Sequence, residues 1–150
     1  MNNDIATKPR ALPDQMTIRR PGEAIARAPD GIASGPFWAE ILFDSVKDGE
    51  NTVMRAHVDP GIVTRWHTHP RGQLLYVLSG IGLAQRDGGS VEEVRAGDCI
   101  WFAPGERHWH GAHRNSAFAY ISIQAVRDGA MVHWLEPVSE EGARHDRDAI

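Results

Sequence analysis

At 150 residues, 41% of them hydrophobic and with a formal net charge of -4, the chain has material for one domain with a packed core and none for a second. Its 16 Lys and Arg are scattered among 20 Asp and Glu, which argues against a nucleic-acid surface, and no apolar run approaches the roughly 18 residues of a membrane span. The amino end, MNNDIATKPR, lacks the apolar stretch of a secretory signal, so the expected address is the cytoplasm.

Residues 1–30 hold four prolines, many charges and no sustained apolar period, and read as an extended arm that pairs with an edge strand or a partner subunit. From Phe37 onward short β-rich runs alternate with Gly, Asp and Pro turns, the spacing of a sandwich or barrel. Strands are expected at Phe37–Ser45, Asn51–Val58, Thr64–His69, Gln73–Leu78, Gly82–Arg86, Ser90–Val94, Cys99–Phe102, Trp109–His113, Ala117–Val126 and Met131–Leu135. Ser79–Gly80, Asp87–Gly89, Ala96–Gly97 and Pro104–Gly105 carry the turn chemistry between them. The barrel therefore occupies 31–137, and the charged segment 138–150 is a solvated helix or loose tail. Cys99, the sole cysteine, cannot form an intramolecular disulfide and is expected as a buried apolar thiol.

Chemistry concentrates in GIVTRWHTHPRGQLLYVLSG, Gly61 to Gly80. Residues two apart on a strand share a face, so the imidazoles of His67 and His69 can reach one ion. The turn at Pro70, Arg71 and Gly72 then presents the Gln73 amide beside them. In GDCIWFAPGERHWHG, Gly97 to Gly111, His108 opens a strand that an antiparallel barrel can bring opposite the first pair. His110 follows on the same side of that strand, placed to act as a base. Met54, Ala56 and Val58 alternate with Val53, Arg55 and His57, so Met54 and Ala56 are expected to line the barrel. Phe118, Tyr120, Ser122 and Gln124 share a face that can look inward or outward.

Together the two segments resemble the cupin superfamily. Its first motif, G, five residues, H-x-H, three or four residues, E, six residues, G, is matched by Gly61, His67, His69, Gln73 and Gly80, with Gln73 in the acidic ligand's place. Its second motif is matched by Gly97, Gly105 and His108, with Ala103 where a proline is usual. The resemblance implies an all-β, single-domain jelly-roll barrel, a double-stranded β-helix, holding one divalent metal through His67, His69, Gln73 and His108. Three neutral imidazoles and a neutral amide leave the ion's charge uncancelled, and about four protein ligands leave open positions for water or substrate. Manganese heads the candidate metals, followed by iron, nickel, cobalt and zinc.

From Val53 to Pro137 the chain is similar to the small bacterial cupins that include manganese-dependent hydroxynitrile lyases, through TRWHTHPRGQ, QRDGGSVEEVRAGD, APGERHWHGA, SIQ and WLEPV. That similarity implies pocket roles for Thr64, His110 and Gln124, with Met54 and Ala56 shaping the space for a small aromatic or α-hydroxy substrate, and Tyr120, on the strand of Gln124, is a further candidate catalytic residue. The chain departs from those lyases at Tyr120, where they carry histidine, and at Met54, where they carry a small residue. A metal-dependent cupin dioxygenase and a non-catalytic small-ligand-binding cupin are the competing functions. Trp38, Trp101, Trp134 and the arm are expected to be covered in a homo-oligomer, a dimer or tetramer.

Overall fold

The structure, a computed structural model, describes residues 10–139. The first nine residues of the arm and the charged tail beyond Ser139 lie outside the described residues. Every regular element among those described is a strand: β1 Ile25–Arg27, β2 Trp38–Phe43, β3 Asn51–Val58, β4 His67–Thr68, β5 Gln73–Arg86, β6 Glu92–Arg95, β7 Cys99–Phe102, β8 His108–Ala112, β9 Phe118–Ala125 and β10 His133–Trp134. Among the described residues no helix is long and apolar enough to cross a membrane.

All named strand pairs are antiparallel. One side of the barrel runs β1-β2-β3-β9-β5 with β7 on the far side of β5. The other carries β6, β5, β8, β4 and β10. Strand β5 belongs to both, its first half pairing with β7 and β9 and its second half with β6 and β8.

The sequence pattern suggests two strands separated by a turn at Ser79–Gly80, whereas the backbone keeps one 14-residue strand that bends there. Register slips between Val77 and Ser79, and Gly80 takes a φ of 78°. A Cβ at Gly80 would stand 1.8 Å from the Ala117 carbonyl oxygen, so only glycine lets the strand pass from one sheet to the other here.

The arm carries β1, which adds an edge to β2 through Ile25 opposite Glu40 and Arg27 opposite Trp38. Upstream, Arg10 pairs with Asp44, the Leu12 amide donates to Glu50, and Arg19 donates to the Leu42 carbonyl.

Period-two alternation accounts for the core. Thr52, Ala56 and Val58 are buried on β3, and Phe118, Tyr120, Ser122 and Gln124 on β9, settling which β9 face looks inward. Of these, Ala56, Val58, Phe118 and Tyr120 pack with Phe37, Leu75, Val77 and Phe102 to fill the space between the sheets. A smaller cluster of Val63, Leu83 and Trp109 packs behind β8, where the Trp109 indole donates to Gln85 at 2.8 Å.

Cys99 is not the buried thiol expected from its composition. On β7 the inward positions belong to Ile100 and Phe102, so Cys99 and Trp101 face outward and are exposed.

Candidate metal centre

Short-range geometry assembles the histidines. β4 lies beside β8 with His67 directly opposite His108, and β8 lies beside the second half of β5. The rings of His67 and His108 are 4.3 Å apart, those of His67 and His69 5.1 Å, and those of His69 and His108 5.5 Å. Phe102 stacks flat on His108 at 3.6 Å, and Trp134 packs on His67 at 4.7 Å.

The second nitrogen of each imidazole shows what the first is free to do. Nδ1 of His67 donates to the Arg65 carbonyl at 2.8 Å, Nδ1 of His69 to Met131 at 2.6 Å and Nδ1 of His108 to Glu106 at 2.8 Å. Each carbonyl can only accept, so each Nδ1 carries the proton and each Nε2 presents a lone pair. His69 Nε2 is buried with no hydrogen-bond partner, and His108 Nε2 faces Gln73 Oε1 at 3.2 Å. Two acceptors at that separation hold no proton between them. About 3 Å is, however, the edge of an octahedron with bonds of roughly 2.1 Å, the length of a metal–imidazole bond. A facing pair of acceptors beside two further imidazoles, each ring fixed from behind by a backbone carbonyl, fits a divalent cation.

A second grouping shares two of these residues. The nitrogens of His67, His108 and His110 lie within 4.8 Å of one another. His110 differs from the other three in that its Nδ1 is buried without a partner. Its position is set instead through the backbone, whose N–H donates to Thr64 Oγ1 at 3.2 Å.

Burial pushes His67 and His110 well below the ordinary imidazole range, reinforced by the neighbouring imidazoles. His69 and His108 are both pushed down to about 4, again by burial first. All four are therefore neutral at pH 7, the state that metal ligation and proton acceptance require. Burial raises the Tyr120 phenol, which stays protonated and can serve as a donor.

His67, His69, Gln73, His110, Thr64, Tyr120, Gln124 and Met54 all border one cavity of about 410 Å³, open at one side. His108 is fully buried behind it. Ala56 is sealed in the core against Tyr120 and is not among the residues bordering the cavity. Several wall residues escaped the sequence reading: Ala28 and Pro29 of the arm, Ile32 just after it, Phe37 and Ala39 at the start of β2, and Met131 and Trp134 at β10. The alternation of Phe37, Ala39 and Ile41 was a usable signal for the β2 wall. The arm and β10 reach the site through long-range folding, which local pattern does not reveal.

Residues 54–124 match the Cupin domain family. Over 130 residues the chain is 42% identical to an (R)-mandelonitrile lyase of Granulicella tundricola, covering 86% of this chain and 99% of that one. A solved cupin-like protein from Thermotoga maritima is 29% identical with a TM-score of 0.77, over 85% of this chain and 97% of that one. The polyketide cyclase RemF from Streptomyces resistomycificus shares the fold at 21% identity and a TM-score of 0.66, over 87% of this chain and 92% of that one. The strand order, the inward-facing histidines and these likenesses lead to one conclusion: the chain belongs to the cupin family, as a small single-domain member resembling hydroxynitrile lyases.

Proposed function

We propose that this cupin is a manganese-dependent lyase of hydroxynitrile-lyase type, cleaving a small cyanohydrin, an aromatic one foremost, reversibly to a carbonyl compound and hydrogen cyanide. The observation that carries the reading is the donor set itself. Neutral imidazoles and a neutral amide lie at the floor of an apolar cavity, in a chain 42% identical to a relative named for this reaction. His67, His69, Gln73 and His108 would hold the metal. When bound, a divalent ion supplies Lewis acidity to a substrate oxygen, undiminished by any anionic protein ligand.

The chain's own residues do the rest. The apolar wall of Phe37, Ala39, Ile41 and Met54 receives the aromatic or aliphatic body of the substrate and excludes water. Among the site's histidines, His110 is the one not tied to a backbone carbonyl, so its ring is the group that takes the cyanohydrin's hydroxyl proton. The carbon–nitrile bond then breaks with its electron pair leaving on cyanide, the carbonyl forms, and His110 returns the proton to cyanide. Tyr120, whose ring meets that of His110 edge-on at 5.3 Å, donates a hydrogen bond to substrate, and Thr64 orients it.

The test is turnover of mandelonitrile by manganese-loaded protein, followed by benzaldehyde absorbance. Production of benzaldehyde above the metal-free protein supports the reading. Its absence, with oxygen uptake on catechols or diketones, would instead make the protein a dioxygenase.

We further propose a homo-oligomer, a dimer or tetramer. Tyr76, Leu78 and Trp101 are exposed on the outer face of β5 and β7, and Met16, Ile18, Ile25 and Trp38 along the arm and β2. Light scattering at monomer mass would contradict this.

A further inference from the structure

We propose that Gln124 is a positioning residue, held in one orientation by Thr52, that turns the amide oxygen of Gln73 toward the imidazole cluster. The proposal rests on the metal reading above for its purpose, and on hydrogen-bond direction alone for its geometry.

The two ends of a glutamine amide are nearly equal in size, so a buried Gln73 could present either oxygen or nitrogen to the histidines. Left to local preference the nitrogen would win, because an N–H can donate to the lone pair on His108 Nε2 whereas the oxygen meets it acceptor to acceptor. Something must hold the oxygen inward.

The hydrogen bonds around β3, β5 and β9 do so from an anchor that cannot flip. The Thr52 main-chain carbonyl only accepts, and it lies 3.4 Å from Gln124 Nε2. The Thr52 hydroxyl directs its single proton to the Gln124 main-chain carbonyl at 3.1 Å or to the Met131 sulfur at 3.0 Å. Toward the Gln124 side chain it can therefore only accept, and Nε2 donates to it at 2.7 Å. With its nitrogen bound to Thr52, Gln124 points Oε1 toward Gln73. That oxygen accepts from the Ser122 hydroxyl at 2.6 Å and from Gln73 Nε2 at 3.0 Å. The remaining Gln73 N–H reaches Ser122 Oγ at 3.3 Å. Both protons on Gln73 Nε2 are thus engaged on the β9 side, and Oε1 is left facing His108. Thr52, Gln73, Ser122 and Gln124 are all buried, so water does not compete for these bonds.

The same arrangement accounts for an amide standing where most cupins carry an acid. A carboxylate at position 73 would set a proton-free oxygen against Gln124 Oε1, which Thr52 prevents from turning away.

Two variants and two readouts test this. Gln124→Met removes the acceptor at nearly constant volume, and Thr52→Val leaves Gln124 in place while removing the hydroxyl that orients it. The first readout, on metal-free protein, is the side-chain amide 15N–1H spectrum of Gln73. Wild type should show one hydrogen-bonded pair of resonances, Gln124→Met a loss of that hydrogen-bond shift, and Thr52→Val two populations. The second is Mn2+ affinity by competition with a fluorescent chelator, expected to fall about tenfold to a hundredfold in Gln124→Met. Gln124→Glu, which keeps an acceptor toward Gln73, should retain affinity at or above wild type. Unchanged Gln73 resonances and unchanged Mn2+ affinity in both Gln124→Met and Thr52→Val would overturn the proposal. Were wild type to bind no Mn2+, the metal reading would fall, while the amide spectrum, which needs no ion, would still decide the orientation. Should Gln124→Met fail to fold, Thr52→Val decides alone.

Discussion

His108 Nε2 and Gln73 Oε1 face each other at 3.2 Å as two acceptors, each held there by other bonds of its own side chain. A folded chain that keeps two lone pairs so aligned is prepared for a cation, and the cation should stabilise it in return. Added Mn2+ at one hundred times its dissociation constant should contribute about 2.7 kcal/mol, a rise in Tm of roughly 5–10 °C for a chain of this size. Differential scanning calorimetry with and without EDTA reads this directly. An unchanged Tm at saturating metal would count against the alignment having that purpose.

Acid should weaken the metal-free protein before any carboxylate titrates. The four site histidines are lowered by burial, His69 and His108 to about 4, while in the unfolded chain they return to the ordinary 6.5. Between those values the unfolded state binds more protons than the folded one, so stability rises with pH in that window. It is fully present above about pH 6.5 and is lost progressively as pH falls toward 4. Glu40, Glu50, Glu106 and Glu136, all lowered, add losses of the same sign only below their ordinary 4.5. Tm of chelator-treated protein should thus decline from pH 6.5 to 5. A flat profile there would contradict neutral, buried imidazoles.

The bend in β5 yields a stability prediction with its own control. Gly80→Ala combines a left-handed φ with a Cβ placed 1.8 Å from the Ala117 carbonyl oxygen, and should cost about 3 kcal/mol or more. Gly88 shares the left-handed φ, 81°, but has no atom within 4 Å of a built Cβ, so Gly88→Ala should cost only about 1–2 kcal/mol. Urea unfolding distinguishes them. Equal losses would mean that crowding against Ala117 is not what requires glycine in the bend.

Met54 and Tyr120, the two positions at which the resemblance leads one to expect a departure from the hydroxynitrile lyases, both border the cavity. Met54→Ala widens the apolar wall, and Tyr120→His exchanges a phenol that stays protonated for a group able to accept a proton. The double variant should raise kcat/KM on mandelonitrile tenfold or more over the parent. A lower value at full metal occupancy would show that Tyr120 is the better partner for this pocket.

Much of this was legible in the residues, and for definable reasons. The alternation of His67 with Thr68 and of His108 with Trp109 puts the imidazoles on one face, and the Asn51–Val58 strand matches its expected bounds, because period two is a local property. Gly80 was misread as a turn because the residues of a turn and of a strand bend are the same, and only the nearby Ala117 carbonyl tells them apart. Cys99 was misplaced because composition speaks for the interior while register decides the face. The carbonyl of Met131 behind His69 and the Thr52–Gln124 anchor join residues more than 60 positions apart, and the cavity walls from the arm and β10 likewise come from distant segments of the chain. No local pattern announces such pairings.

Metal content measured by elemental analysis on purified wild type, His69→Ala, His108→Ala and His110→Ala tests the central claim most directly. The account predicts close to one divalent ion per chain in wild type and in His110→Ala, and loss of it in His69→Ala and His108→Ala. Metal kept in His69→Ala but lost in His110→Ala would move the ion to the His67, His108 and His110 group, and metal kept in His108→Ala would remove the site altogether.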